Sequence, residues 1–217
     1  MHKVLDFIKK NKQFSFFLLL VILLALITIF APVIAPQDPY VSDLKNALQP
    51  PSSDHWFGTD KLGRDIFSRV IYASRSSLPA TLILVALIFV IGTLLGTLAG
   101  YFGGWIDAVI MRISDMMISF PGMVLAIAVA GIMGASVKNA VIAVAVVSWP
   151  KYARLARSLV MKIRHEDYIY AAIVTGSKTS YILRKYMLPN IIPTLIITAA
   201  TDIGGMMLEL AGLSFLG

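Results

Sequence analysis

The chain has 217 residues, of which 58% are hydrophobic and only 14% are charged, and its formal net charge is +7. Soluble domains have roughly 45–50% apolar and about 25% charged residues, so the composition excludes an ordinary soluble domain. The basic residues lie beside apolar runs, where they set membrane orientation, and they give no reason to expect a nucleic-acid partner. The absence of cysteine from the sequence excludes disulfides and thiolate metal sites. We therefore expect one integral membrane domain.

The N-terminal part of the chain predicts a cytoplasmic segment, a first span and an extracytoplasmic loop. Residues 1–13 carry four lysines and one aspartate, and a lysine-rich flank stays in the cytoplasm. The charge-free run that follows is long enough to cross the hydrocarbon core, which takes about 20 residues. Residues 37–77 are polar, proline-rich at first and neutral overall, as in an irregular loop. We group the first span and this loop as one region, residues 14–77.

The end of this loop predicts a short interfacial helix that leads into the second span. Apolar residues fall on one helical face directly after Asp65, and these are Ile66, Phe67, Val70 and Ile71. Asp60 and Asp65 are interpreted as caps of this helix.

Four further apolar runs predict four more spans, at residues 78–100, 116–134, 137–149 and 190–216. We interpret residues 101–115 as a short turn. Pro121 interrupts the third span, and Pro150 ends or kinks the fourth. Gly92, Gly96 and Gly100 form a small-residue stripe that lets another helix approach closely. The chain stops directly after the fifth run, so we expect truncation, with at least one further span beyond residue 217.

The basic segment 151–189 contains eight cations and two anions, and we interpret it as a cytoplasmic loop that holds a docking helix. Ala171 and Ala172 give a small, helix-favouring surface, and Gly176 permits a turn after it. The alternative is a basic loop that merely satisfies the positive-inside rule, and the residues alone fit it equally well.

Two acidic residues in the last span are candidates for a substrate path. Asp202 and Glu209 are seven residues apart and so lie on nearly the same helical face, near Met206. A carboxylate at mid-membrane costs about 2.5–3.5 kcal/mol, so it normally faces the bundle interior or a wet cavity. We place all three residues on a cation-attracting translocation path. The alternative is that the acids pair with a cation of a partner subunit, or lie in water near a helix end.

The basic segment resembles the "EAA" coupling motif of the permease subunits of ABC importers, which reads Glu-Ala-Ala, three residues, Gly, nine residues, Ile-x-Leu-Pro. The matching positions are Tyr170, Ala171, Ala172, Gly176, Tyr186, Leu188 and Pro189, where the two tyrosines replace the glutamate and the isoleucine. Residues 55–217 resemble the C-type permease subunits of dipeptide, oligopeptide and nickel importers. The further matches are His55-Trp56-Phe57-Gly58-Thr59-Asp60, Gly63-Arg64-Asp65-Ile66-Phe67-Ser68-Arg69, Met111-Arg112 with Asp115, Phe120-Pro121, Trp149 with Tyr152-Ala153-Arg154, and Ala211-Gly212-Leu213-Ser214-Phe215-Leu216-Gly217.

The resemblance implies an all-α, polytopic membrane helical bundle of the type I ABC importer kind, with five spans present and a sixth beyond the chain. Residues 78–217 would be the permease core. The partners would be a B-type permease subunit as heterodimer, two cytoplasmic ATPase subunits and an extracytoplasmic binding protein, in a bacterial or archaeal cytoplasmic membrane. ATP and Mg would bind the ATPase subunits, with no cofactor on this chain, which is not an enzyme. The residues expected to couple to the ATPases are Tyr170, Ala171, Ala172, Gly176, Leu188 and Pro189.

The resemblance does not decide between two classes of substrate. The segment 202–208 looks closer to the nickel-type subunits, which favours nickel or a nickel chelate, while the rest fits dipeptide or oligopeptide permeases equally well. Two other classes stay open from the residues. An ion channel or secondary transporter would work without an ATPase. A membrane enzyme would need clustered His, Asp or Glu at a membrane face, and the sequence shows no such cluster.

Overall fold

The structure is a computed structural model that describes residues 10–216. Most of the predicted cytoplasmic N-terminus and the final Gly217 lie outside these residues. The chain divides into two compact units, one up to Leu78 and one from Pro79. Apart from one bridge between Thr59 and Asp65, the described residues form helices, turns and loops. The predicted all-α class is confirmed.

In the first unit the apolar helix α1 spans Lys12–Ile29, and none of its residues is buried. A helix that is apolar on every side is typical of a membrane span. A break at Phe30 separates α1 from the short helix α2, Ala31–Ile34, which has proline in its first turn. The predicted first span is therefore helical but interrupted near its end.

The loop after α2 is irregular but held by backbone hydrogen bonds, including those from Asp43 N to Leu62 O (3.0 Å) and from Leu48 N to Asp60 O (3.1 Å). A short 3₁₀ turn lies at Leu44–Asn46. Gly63 has a φ of +73°, and a Cβ there would collide with the backbone of Asp43. Only glycine fits this crossing of two chain segments without strain.

Helix α3, Ile66–Phe102, follows the loop. Asp65 caps it, because its Oδ2 accepts a hydrogen bond from Ser68 N at 2.7 Å. Asp60 does not cap the helix; its carboxylate accepts hydrogen bonds from Leu62 N (2.8 Å) and Arg64 N (3.0 Å) in the preceding turn. The predicted interfacial helix is not a separate element, since α3 runs without a break through residue 77 and past Pro79. No glycine or proline interrupts its first three turns, and Pro79 is accommodated inside it.

The second unit contains helices α4, Gly104–Ile118, and α5, Gly122–Met133, which meet at a bend of 92°. The prediction of a short turn at 101–115 is wrong, because the turn is confined to Gly103, whose φ is +64°. From there Ile106, Val109, Ile110 and Ile113 recur at helical spacing, so the polar residues between them sit on a helix. The predicted interruption at Pro121 is confirmed as the bend.

Helix α6, Val137–Ile163, is the centre of the second unit and packs against α4, α5 and the last helix. Twelve of its residues are buried, among them Tyr152 and Ala153. Pro150 does not end this helix. The freed carbonyl of Val146 lies within a packed helix, a setting in which neighbouring helices can compensate for an interior proline.

The basic segment 151–189 was predicted to be a loop that holds a docking helix; the structure contains a helix at that place, but most of the rest of the segment is helical as well. Its first third belongs to α6, and after a short turn come α7, Asp167–Val174, and α8, Thr179–Ile182. A π-helical turn, Leu183–Met187, then leads directly into α9, Leu188–Leu216. Proline at position 189 cannot donate to the carbonyl four residues earlier, and the wider π-turn precedes it.

By length and hydropathy three described helical stretches can cross a membrane: Lys12–Ile29, Ile66–Phe102 and Thr179–Phe215. The bent pair α4–α5 makes a fourth if it counts as one span. All five predicted apolar runs lie in helices, but α6 does not meet this criterion. Its apolar part is short, and Lys151, Arg154 and Arg157 follow directly.

Candidate functional site

Helix α7 exposes one apolar face and buries the other. Ile169 (0% exposed) and Ala172 (7%) belong to the core, while Tyr170 (49%), Ile173 (48%) and Val174 (86%) face outward. Ala171 is also exposed. The two neighbouring alanines therefore have opposite environments, and only Ala171 is available to a partner.

Gly176 ends α7 in a two-bond cap. Its backbone N donates to Ile173 O, and Ser177 N donates to Ala172 O, both at 3.0 Å. Gly176 has a φ of +80°, and the space where a side chain would project is open. This is the Schellman arrangement, in which a left-handed residue satisfies the last helical carbonyls. Backbone conformation alone, without any steric contact, thus favours glycine here.

The remaining coupling candidates lie where α7 meets the start of α9. Leu188 is half-buried and Pro189 exposed, and both follow the π-turn. The rings of Tyr168 and Tyr186 lie 6.1 Å apart, which joins α7 to that turn. Tyr186 occupies the isoleucine position of the motif, so this aromatic contact depends on a residue that differs from the motif.

Three cations on α6 each meet an acid on another helix. Arg157 forms an ion pair with Asp107, and Arg154 with Asp115, both on α4. Lys151 Nζ lies 2.7 Å from Asp202 Oδ1 on α9. Residues three apart on a helix are neighbours on its surface. The sequence reasoning missed these pairs because it ended the fourth span at Pro150, although the spacing of 151, 154 and 157 already fits one continuous helix face.

Asp202 is held by two groups of α6. Besides Lys151, the hydroxyl of Tyr152 donates to Asp202 Oδ2 at 2.9 Å, and the Asp202 side chain is only 13% exposed. A buried carboxylate with a cation and a hydroxyl donor is neutralised in place. In this structure Asp202 therefore links α6 to α9 and already has a cation beside it.

Glu209 and Met206, the other two path candidates, are separated. Met206 is buried in the core (8% exposed). Glu209 lines a cavity of about 230 Å³ together with Ser148 and residues of the α4–α5 bend, including Phe120 and Gly122. Within residues 10–216 the Glu209 carboxylate makes no hydrogen bond or ion pair, in contrast to Asp202, so the two acids have different environments.

The described residues contain no group of three or more His, Asp or Glu with metal-binding geometry. The apolar helices, which are joined by ion pairs, define a polytopic helical membrane protein. Comparison with known proteins refines this class. Residues 92–217 match the binding-protein-dependent transport system inner membrane component family, and residues 2–51 match the N-terminal TM domain of oligopeptide transport permease C.

Several curated relatives are similar over most of this chain. The dipeptide transport system permease protein DppC of Alkalihalophilus pseudofirmus is 43% identical over 97% of the chain and 69% of its own length. The probable D,D-dipeptide transport system permease protein DdpC of Escherichia coli is 44% identical over 91% of the chain and 66% of its own length. The nickel transport system permease protein NikC of Escherichia coli is 39% identical over 92% of the chain and 72% of its own length.

The chain belongs to the family of binding-protein-dependent transport system inner membrane components, the permease subunits of ABC importers. This confirms the resemblance drawn from the sequence motifs. It is a multi-pass transport subunit of the inner membrane. The names of the relatives include both dipeptide and nickel systems.

Proposed function

We propose that this chain is the translocation subunit through which partner ATPases drive uptake, and that α7 is the helix they engage. The observation that carries the proposal is the exposed apolar face of Tyr170, Ala171, Ile173 and Val174 on a helix whose other face is anchored in the core. Apolar side chains gathered on one exposed face are typical of an interaction site.

The structure offers a mechanical connection from that face to the spans. Buried Ile169 and Ala172 fix α7 to the core, and the ring of Tyr168 contacts Tyr186 beside the start of α9. A displacement of α7 therefore reaches α9, which carries Asp202 and Glu209. Packed elements transmit strain because protein interiors are dense.

The assembly we propose contains a B-type permease subunit as the heterodimer partner, two ATPase subunits that bind ATP and Mg, and an extracytoplasmic binding protein. We place α7 and the N-terminus in the cytoplasm. Arg164, Lys178, Arg184 and Lys185 surround α7 in sequence, and basic residues beside spans favour that side.

The proposed substrate is a dipeptide or oligopeptide, with nickel or a nickel chelate as the second candidate. Relatives named for dipeptide systems support the first, and the relative named for nickel supports the second. The likeness of segment 202–208 to nickel-type subunits favours nickel, whereas the relatives named for dipeptide systems favour a peptide.

Two substitutions at Gly176 test the coupling role. We expect Gly176→Val to abolish uptake and binding-protein-stimulated ATP hydrolysis in the reconstituted full complex, because a β-branched residue cannot keep a φ of +80°. Gly176→Asn is the matched control, since asparagine tolerates this conformation, and it should retain most activity. Both variants should insert and assemble normally. Normal uptake by Gly176→Val, or uptake that needs no ATPase, would overturn the proposal, and the latter would favour a channel or secondary transporter.

A further inference from the structure

The cavity beside Glu209 is built by a break in the helices. The wall contributed by Met117, Ile118, Phe120 and Gly122 surrounds the 92° bend between α4 and α5. Non-helical backbone at membrane depth is tolerated where it is buried in protein or lines a water-filled cavity. The bend and the cavity thus form one feature, which opens space next to α6 and α9.

The polar side chains that line this cavity are Glu209 and Ser148, and the rest of the lining is apolar, including Ala126, Val144 and Val147. Within the described residues Glu209 lacks the kind of partners that neutralise Asp202, seven positions earlier. A lone carboxylate on a span is costly unless it meets water or a cation. A cavity carboxylate without a resident partner is suited to a cation that arrives and leaves.

We propose that Glu209 receives the protonated amino group of a peptide as it passes the bend, with the Ser148 hydroxyl as a second acceptor and the apolar wall against the adjoining side chain. This deepens, and rests on, the proposed import function. An ammonium group on a carboxylate forms a charge-assisted hydrogen bond, which is about twice as strong as a neutral one.

The size and donor set of the cavity favour an amine over a metal ion. About 230 Å³ is smaller than the roughly 300–1,000 Å³ of pockets that enclose a whole ligand, so it suits one end of a peptide. One carboxylate matches the single charge of an ammonium group. Borderline divalent metals such as nickel are held by several imidazole, thiolate or carboxylate donors.

The test uses the full complex in proteoliposomes, with uptake of a radiolabelled dipeptide and binding-protein-stimulated ATP hydrolysis measured together. Glu209→Gln should lower uptake per ATP hydrolysed by about tenfold, the factor that corresponds to loss of one charge-assisted contact. Glu209→Asp keeps the charge and should recover most of the uptake. Asp54→Asn, which removes an exposed acid of the loop before α3, should behave as wild type.

Each outcome separates this inference from the proposed function. Unchanged uptake by Glu209→Gln overturns the inference alone. So does a loss of heterodimer assembly or of thermal stability in that variant, since Glu209 would then pair with a cation of the partner subunit. Loss of nickel-chelate uptake with intact dipeptide uptake would identify a metal path instead. A wild-type complex that imports neither substrate overturns the proposed function and the inference together.

Discussion

Lys151 Nζ lies 2.7 Å from Oδ1 and 2.8 Å from Oδ2 of Asp202, although the two residues are 51 positions apart in the chain. The contact joins α6 to α9 immediately after Pro150. The adjacent Tyr152 is fully buried, and its hydroxyl completes the shell of the carboxylate. This pair therefore holds together the two helices that flank the Glu209 cavity.

Removing the cation should leave an uncompensated carboxylate between α6 and α9. We expect Lys151→Met to lower the free energy of unfolding by about 1–3 kcal/mol, toward the smaller value because the Lys151 side chain is 57% exposed. The double variant Lys151→Met/Asp202→Asn should lose less than the sum of the two single changes, because the amide no longer needs a cation. Thermal unfolding of the three variants in nanodiscs gives the coupling energy, and strict additivity would contradict the pairing.

The glycine stripe of α3 supports a second prediction. A Cβ on Gly96 would lie within 3 Å of the carbonyl oxygen of Ala153 and of the Ala156 Cβ, and one on Gly100 would lie 2.8 Å from Arg157 O. Gly96→Ala should destabilise the second unit by about 1–3 kcal/mol through overpacking. Gly131→Ala is the control, because a Cβ there meets nothing within 4 Å. Equal melting temperatures of the two variants would show that α3 and α6 can separate without cost.

The glycine stripe also shows which features of the packing the sequence could predict. Four-residue spacing predicted close packing of a helix on Gly92, Gly96 and Gly100, and the structure confirms it with α6 as the partner. The spacing could not predict that the partner is α6, because small residues indicate only that some helix backbone packs closely there. The apolar runs and the bend at Pro121 could be predicted because each depends on residues that are close together in the sequence.

The features that the sequence did not predict depend on tertiary contacts. Pro150 predicted a helix end or a kink, and α6 continues past it among buried neighbours. The ion partners of Arg154 and Arg157 lie on α4, a stretch that polar residues had marked as a turn. Asp202 and Glu209 look alike in sequence, and the contacts of Lys151 and Tyr152 with Asp202 distinguish them. Among the coupling candidates, the sequence predicted the turn at Gly176. It did not predict that Ala171 is exposed and Ala172 buried, because that difference depends on which face of α7 packs against the core.

The two arginine pairs of α6 should differ in their contribution to stability. The Arg157–Asp107 pair is the more enclosed, with side chains 31% and 18% exposed, against 45% and 57% for Arg154–Asp115. Buried pairs cost more to break than exposed ones, since the remaining charge keeps its desolvation penalty. Arg157→Gln should therefore destabilise the protein by about 1 kcal/mol or more beyond Arg154→Gln. Denaturant midpoints of the two variants measure the difference, and the reverse order would show that Asp107 finds water or another donor.

The loop before α3 should lose stability in acid through Asp60. Partial burial opposes ionisation of this carboxyl, but hydrogen bonds from the backbone and side chain of Arg64 and from the backbone of Leu62 outweigh it and lower the pKa of Asp60 to about 2. An unfolded aspartate has a pKa of about 3.9. A lowered folded pKa stabilises the loop fully above the unfolded value, and this contribution is lost as the pH falls from about 4 to about 2.

Fluorescence of Trp56 can report this loss if Trp105 and Trp149 are replaced by phenylalanine. The indole of Trp56 lies 4.8 Å from the ring of Phe67, centroid to centroid, so opening of the loop changes its surroundings. The urea midpoint should fall as the pH is lowered from about 4 to about 2, and Asp60→Asn should reduce that fall because an amide does not titrate. Asp65 contributes in the same direction: burial opposes its ionisation, but hydrogen bonds from Ser68 and His55 lower its pKa, so part of the fall should remain. An identical pH dependence in Asp60→Asn would mean that the Asp60–Arg64 contacts do not hold the loop.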